Sequence, residues 1–426
     1  MSEAPTRLAS KIRWRLVLPC LTFMLLSSLD RSNVSFAALQ MNTDLGMTPE
    51  QYGFGAGILF VGFLAGQFPS ILLQQRFGMR LWISACAVIW GATAAGLAFV
   101  QSHEAYYVLR LLLGFAEGGL APGIVLYLRQ WATEQERAST FAAPMLAIPL
   151  SIILGSPLSG WLMGTTNPFG IDGWRWMFLV EGLPTLFLGI IAYFYFPNSP
   201  DEARWLGEDE RRWLKSNSAH RPTEGRAPQN DWTAFKEPRV WLSALLWFCL
   251  LSGAYGIMFW LPLLVGQLTA LSELQIGFVN SLPWLGVALG IYFNAKHSDK
   301  TQERILHVAV PAAITGFAII IASFAGSNGL GLFALFVAGL GLGGAQGAFW
   351  AVPTTILNSG TIAVGVVVIN IFGSAGGMVM PHAIGWIRQV TGSFVLPIYL
   401  VAAVLFMAAA IVGVLRASMK EVHKAA

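Results

Sequence analysis

Twelve stretches of this chain are apolar for long enough to cross a lipid bilayer, and that restricts the fold more than any motif. Backbone N–H and C=O groups in hydrocarbon have no water to bond, so each stretch must satisfy itself as an α-helix. The stretches run at about 16–38, 52–74, 81–101, 104–129, 139–164 and 174–197. The second set follows at 239–268, 274–295, 304–325, 329–357, 360–386 and 394–416. One long polar segment, Asn198–Lys236, separates the sets. The expected architecture is all-α integral membrane: an N-terminal six-helix bundle over 1–197, a linker over 198–238 and a C-terminal six-helix bundle over 239–426. Within the linker, Glu202–Ser216 carries Glu and Arg at helical spacing and predicts a surface helix; the remainder is rich in Pro, Gly, Asn and Ser.

Composition agrees. Only 11% of residues are charged, where a soluble domain has about a quarter. The net charge of +4 invites a nucleic-acid partner, but the basic residues lie in loops between apolar runs and not on one soluble face. With the N-terminus inside, all but four of the 26 Lys and Arg residues fall on the cytoplasmic side; the four are Arg31, Arg110, Arg175 and Arg388. Both termini are therefore expected in the cytoplasm. Cys20, Cys86 and Cys249 sit inside apolar segments without metal-ligand spacing and read as packing residues. The basic N-terminus precedes a long apolar run with no Ala-x-Ala cleavage site, so it reads as a retained first helix. No Walker loop, hydrolase elbow, dinucleotide fingerprint or metal cluster stands in usable context. The expectation is neither an enzyme nor a cofactor or metal protein, with any transport driven by a gradient.

Against this apolar background the intramembrane charges stand out. A charge at bilayer depth costs at least about 2.5–3.5 kcal/mol on insertion scales. Helix 4 nevertheless holds Arg110 and Glu117, and helix 1 holds Asp30 and Arg31. Positions 110, 114, 117 and 121 share one helical face, reading Arg, Gly, Glu, Ala. Gly114, Gly118 and Gly119 would let neighbouring backbones approach. Counting helical rise from either end puts Asp30 and Arg110 both about 9 Å deep, where they can pair, with Glu117 a further ~10 Å in. A structural salt bridge is one reading. A charged element lining a water-filled path is the sharper one: Glu117 as a proton carrier, and an Arg whose fork suits a substrate carboxylate.

Weaker signals lie in the second half. Asn370 is a lone amide among small residues, fit for an interhelical hydrogen bond or a substrate contact. Gln346, Trp350 and Pro353 could make a broken helix with an aromatic wall. Glu181 and Arg175 read as a surface pair, and His297 and His382 as interfacial. A short repeat links the halves: Gln75–Arg80 reads QRFGMR after helix 2, and Asp299–Arg304 reads DKTQER after helix 8. Repeated halves are the mark of secondary transporters.

Several segments together resemble the major facilitator superfamily, and within it the anion:cation symporter family of bacterial organic-acid carriers (tartrate, phthalate, 4-hydroxyphenylacetate and hexuronate types). They are LDRSNVSFAALQMNTDLGM, RLLLGFAEGGLAPGIVLYLRQW, DGWRWMFLVEGLP, HSDKTQER, FWAVPTT and INIFGSAGGMVMPHAIGWIRQVTGSF. The resemblance implies two pseudo-symmetric bundles, alternating access, a multi-pass protein of the bacterial inner membrane, and a monomer taking up a carboxylate with protons. It carries the family's functional charges onto Asp30, Arg31, Arg110 and Glu117 and makes Asn370 similar to a substrate-contacting position; joined to the residue reading above, the expectation is substrate contact at Arg31, Asn370, Trp350 and Gln346, and proton coupling at Glu117 and Asp30. Asp30–Arg110 becomes a charge latch, and Arg76, Gly78, Arg80, Asp299 and Arg304 a cytoplasmic gate. The chain departs in one place: the superfamily usually has an Asp where this chain has Gln75, so the first half lacks a gate charge that Asp299 keeps in the second. The competing expectations are an electroneutral exchanger or neutral-sugar carrier, and a transport-inactive membrane sensor. A channel fits less well, since no ring of repeated charges is present.

Overall fold

The computed structural model describes residues 3–131, 147–165, 167, 169–217, 232–268, 270–326, 328–357 and 361–425, and no strand occurs among them. Eleven helices are long and apolar enough to cross a membrane. The longest, Pro49–Phe99, is two crossings, because it breaks at Gly78, where φ is 78° and ψ 173°. A side chain is strained in that conformation and glycine is not. Twelve crossings result among the described residues. The predicted fifth helix appears as Ala147–Gly164, with its first residues and Arg137 outside the described residues.

Helix starts follow from capping chemistry. Ser102 accepts from the Ala105 amide, and Asn328 accepts from the Gly331 amide. Ser272 and Gln275 form a capping box, each side chain bonded to the other's backbone N–H. These polar caps sit where the apolar runs begin. Glu303 serves the Leu306–Ala325 helix in the same way, its Oε1 accepting from the Leu306 amide at 2.8 Å and its Oε2 from His307 Nδ1 at 2.8 Å. Burial opposes its charge, yet these bonds hold the carboxyl below the usual carboxylate range. A depressed carboxyl adds stability above its unfolded pKa, and that stability is lost as pH falls through the folded value. Glu303→Gln is therefore expected to cost about 1 kcal/mol at neutral pH. The deficit in melting temperature should vanish below about pH 4; a deficit that persists there would show the charge is irrelevant.

The chain divides into two compact units. One comprises Met1–Arg31, Val61–Ser151 and Arg175–Gly225. Its helices meet along glycines: a Cβ on Gly62 would lie 2.0 Å from the Leu111 carbonyl oxygen, and one on Gly66 would lie 2.1 Å from that of Phe115. That approach draws the Pro49–Phe99 helix onto His103–Glu117, as small-residue seams do in membranes. The start of the predicted linker is docked on this same unit. Lys11 pairs with Glu210 at 2.6 Å, Trp205 stacks on Trp131, and a helix spans Glu208–Asn217. Residues 218–231 of the linker lie outside the described ones, and Trp232–Lys236 form a short 3₁₀ turn.

The other unit comprises Ser32–Phe60, Ile152–Trp174 and Arg226–Ala426. Here Glu273–Thr301 and Gly329–Phe349 lock through reciprocal glycines. A Cβ on Gly290 would come 2.1 Å from the Leu340 carbonyl oxygen, and one on Gly343 would come 2.1 Å from that of Val287. Backbone cannot yield there as a side-chain tip can. Gly343→Val is expected to destabilise by about 3 kcal/mol or more, read as lost yield of monodisperse protein and a lower melting temperature. Wild-type behaviour of that variant would refute the seam.

Candidate functional site

The Leu18–Ser32 helix of the first unit carries Ser27, Asp30 and Arg31 within five consecutive positions. Opposite it, His103–Glu117 presents Arg110, Gly114 and Glu117 as buried residues. Asp30, Arg110 and Glu117 are each at most 1% exposed, and among the described residues Glu181 is the only other buried charged side chain. Burial at this level demands partners. Glu117 has two: its Oε2 accepts from Arg31 Nη2 at 2.9 Å and from Ser27 Oγ at 2.9 Å. Its Oε1 is buried with no hydrogen-bond partner among the described residues. A proton can be added at that oxygen without displacing an existing bond.

Arg31 is the more accessible of this pair, its side chain 12% exposed against none for Glu117. The guanidinium also lies 5.0 Å from the ring centroid of Phe63, which orients its plane. Asp30 Oδ2 accepts from the indole N–H of Trp90 at 2.7 Å. Arg110 lies close enough to both Tyr106 and Glu117 to act on them electrostatically. Glu181 and Glu117 lie within the same reach of Asp30. The site is thus a buried network of three acids and two arginines among serine, tryptophan and tyrosine.

Two expectations need correction. Ala121 does not continue the charged face; it is exposed, because the helix is interrupted at Gly118–Gly119 and restarts as Leu120–Leu128. Glu181 is not at the surface but 2% exposed, and Arg175 donates to the carbonyl oxygens of Ala98 and Val100 at 2.7 and 3.0 Å. Ser27, Phe63, Trp90 and Glu181 were not among the predicted site residues. Ser27 could have been found, since it sits one helical turn before Arg31; nothing in the local sequence marks Trp90.

The second unit holds the remaining candidates. Trp350, between the Gly329–Phe349 and Ala351–Ile356 helices, packs edge-on to Trp247 at 5.3 Å, and Phe349 stacks on Trp247 at 4.4 Å. Backbone angles at Trp350 remain right-handed helical, so the expected break is slight. Gln346 lies one turn earlier and is half-buried. Asn370 is exposed on Ile362–Thr391, three residues before Gly373, whose missing side chain makes room for the Trp247 ring. Trp247 itself, absent from the predicted set, has a buried indole N–H with no hydrogen-bond partner among the described residues.

The residues predicted to form a gate fall in two turns. Gly78 is the break after the second crossing. Arg80 is clamped beside it: its amide donates to Asn198 Oδ1 at 3.0 Å, Nε to the Phe196 carbonyl at 3.2 Å, and Nη2 to Glu202 at 3.2 Å. Arg76 lies over Phe77 at 5.4 Å. In the second unit Asp299 and Arg304 form an ion pair across the matching turn.

A profile described as Major Facilitator Superfamily matches residues 20–381, most of the chain. This chain belongs to the major facilitator superfamily. It is 39% identical to the Agrobacterium vitis protein named "Putative tartrate transporter" over 99% of this chain and 97% of that one. It is 34% identical to the Pseudomonas putida protein named "Putative metabolite transport protein NicT" over 97% and 95%. Among solved structures, a bacterial homologue of the lysosomal transporter Spinster, captured inward-facing and occupied, superposes with a TM-score of 0.79 at 15% identity. That likeness covers 95% of this chain and 97% of the other, and shows the shared fold. The protein is a multi-pass membrane transporter of this superfamily.

Proposed function

We propose that the chain carries a small organic carboxylate together with protons by alternating access, as a monomer in a bacterial inner membrane with both termini cytoplasmic. One observation supports this above all: the 2.9 Å ion pair between Arg31 and the fully buried Glu117. An arginine stays charged under all conditions, so it always needs a counter-anion at that depth. Glu117 supplies one when ionised. A proton on Glu117 removes it, leaving Arg31 to take the substrate carboxylate in its place. Proton and carboxylate then bind together or not at all, which is symport.

Asp30, held by Trp90, is the second protonatable acid of the network, and with Arg110 the proposed latch. In the second unit, Trp350, Trp247, Gln346 and Asn370 are proposed to offer aromatic and amide contacts to the substrate. The relatives' names favour tartrate-like and related metabolites as first candidates. The turns at Arg76–Arg80 and Asp299–Arg304 are the proposed cytoplasmic gate, each pinned by charge in its own unit.

The test is proton movement in proteoliposomes on adding tartrate, an aromatic monocarboxylate or a neutral sugar. Internal alkaline-to-acid change that tracks an acid and is silent with the sugar supports the reading. Transport of the sugar, or acid exchange without proton flux, replaces it with a neutral-solute carrier or an exchanger.

A further inference from the structure

At the end of the second unit where Pro238–Leu268 finishes and Glu273–Thr301 begins, two cavities adjoin. The larger, about 700 Å³, has apolar walls that include Trp260, Phe278, Ile319, Leu335 and Phe394. The smaller, about 400 Å³, is lined by Asn42, Thr43, Gln267, Glu273 and Arg388. Leu271 borders both. Arg388 belongs to the seam as well, its guanidinium 4.2 Å from the Phe394 centroid and 5.7 Å from that of Trp260.

The charges of the polar cavity are uncompensated. Among the described residues, neither the Arg388 guanidinium nor the Glu273 carboxylate forms an ion pair or side-chain hydrogen bond, with each other or with a third group. Stacking on two rings fixes the plane of Arg388 but uses none of its five N–H donors. Asn42 Oδ1 is buried without a hydrogen-bond partner among the described residues. The cavity therefore presents an open cation, an open acid and an open amide oxygen beside a chamber that only hydrocarbon would fill. An anion alone would meet Arg388 but face Glu273 and leave the apolar chamber empty. A zwitterionic head on an acyl chain meets every one of these groups.

We propose that this end of the second unit binds an aminophospholipid, with its phosphate at Arg388, its ammonium at Glu273 and Asn42, and one acyl chain in the apolar cavity. The lining residues all belong to the second unit, and the proposal holds whatever the transported solute proves to be.

Native mass spectrometry of the delipidated full-length protein tests it, with phosphatidylethanolamine, phosphatidylcholine and phosphatidylglycerol of identical acyl chains in competition. Phosphatidylethanolamine should be retained about tenfold over the other two, since only it brings both a phosphate and a hydrogen-bonding ammonium. Arg388→Gln should lower its retention about tenfold, and Glu273→Gln should erase the preference over phosphatidylglycerol. Ala322→Phe, which fills the apolar chamber, should weaken all three lipids alike. Equal retention of the three lipids by the unaltered protein overturns the proposal without recourse to any variant. So does an Arg388-dependent rise in melting temperature with tartrate but with no phospholipid, which would make the cavity a waiting place for solute.

Discussion

Glu117→Gln is expected to abolish proton-driven accumulation while leaving substrate counterflow within a few-fold of normal. The amide keeps the shape of the carboxyl and can accept from Ser27, but it cannot exchange a proton and no longer competes as an anion for Arg31. A one-unit pH gradient supports at most about a tenfold accumulation per proton carried, and the variant should fall to simple equilibration. Paired accumulation and counterflow assays on the same proteoliposomes separate the two quantities. Continued accumulation with protons would make Glu117 a structural partner and move the search to Asp30, which Trp90 holds in the same buried network.

The second large effect is at Arg31. Arg31→Gln leaves an ionised Glu117 buried without its cation, a loss of about 3–5 kcal/mol when one member of a buried pair is removed. Lower yield and melting temperature should follow, with no measurable uptake. Combining Arg31→Gln with Glu117→Gln removes the stranded charge, so stability should largely return while transport does not. Those opposite outcomes distinguish a substrate-binding arginine from one that only holds the bundle. If the double variant transports, Arg31 has no role in recognition. Arg31→Lys keeps the charge but not the fork, and is expected to lower kcat/KM about 100-fold.

How much of this could be read beforehand varies with the kind of information. The linker shows one limit: its composition reads as a tether, yet Asn198 and Glu202 clamp Arg80, and Glu210 pairs with Lys11. Such contacts join residues more than a hundred positions apart, and no local pattern records them. The aromatic cluster shows another. Trp350 is visible in FWAVPTT, but Trp247 matters only because Gly373 leaves room for its ring.

What the sequence by itself determined is the set of crossings and the identity of the charges inside the apolar helices. These follow from composition along one dimension, because hydrocarbon admits only self-satisfied helices and penalises every charge left in it. What only the tertiary structure decided is rotation and partnership. Helical rise gives a residue's level along its axis and leaves its partners open: the indole N–H of Trp90 donates to Asp30 Oδ2, and Arg31 pairs with Glu117. Gly118 and Gly119 interrupt the helix and turn Ala121 away from the buried face. The side a membrane helix shows its neighbours is set by where backbones can touch, as at Gly62 and Gly66, and lipid gives no preference of its own among apolar faces.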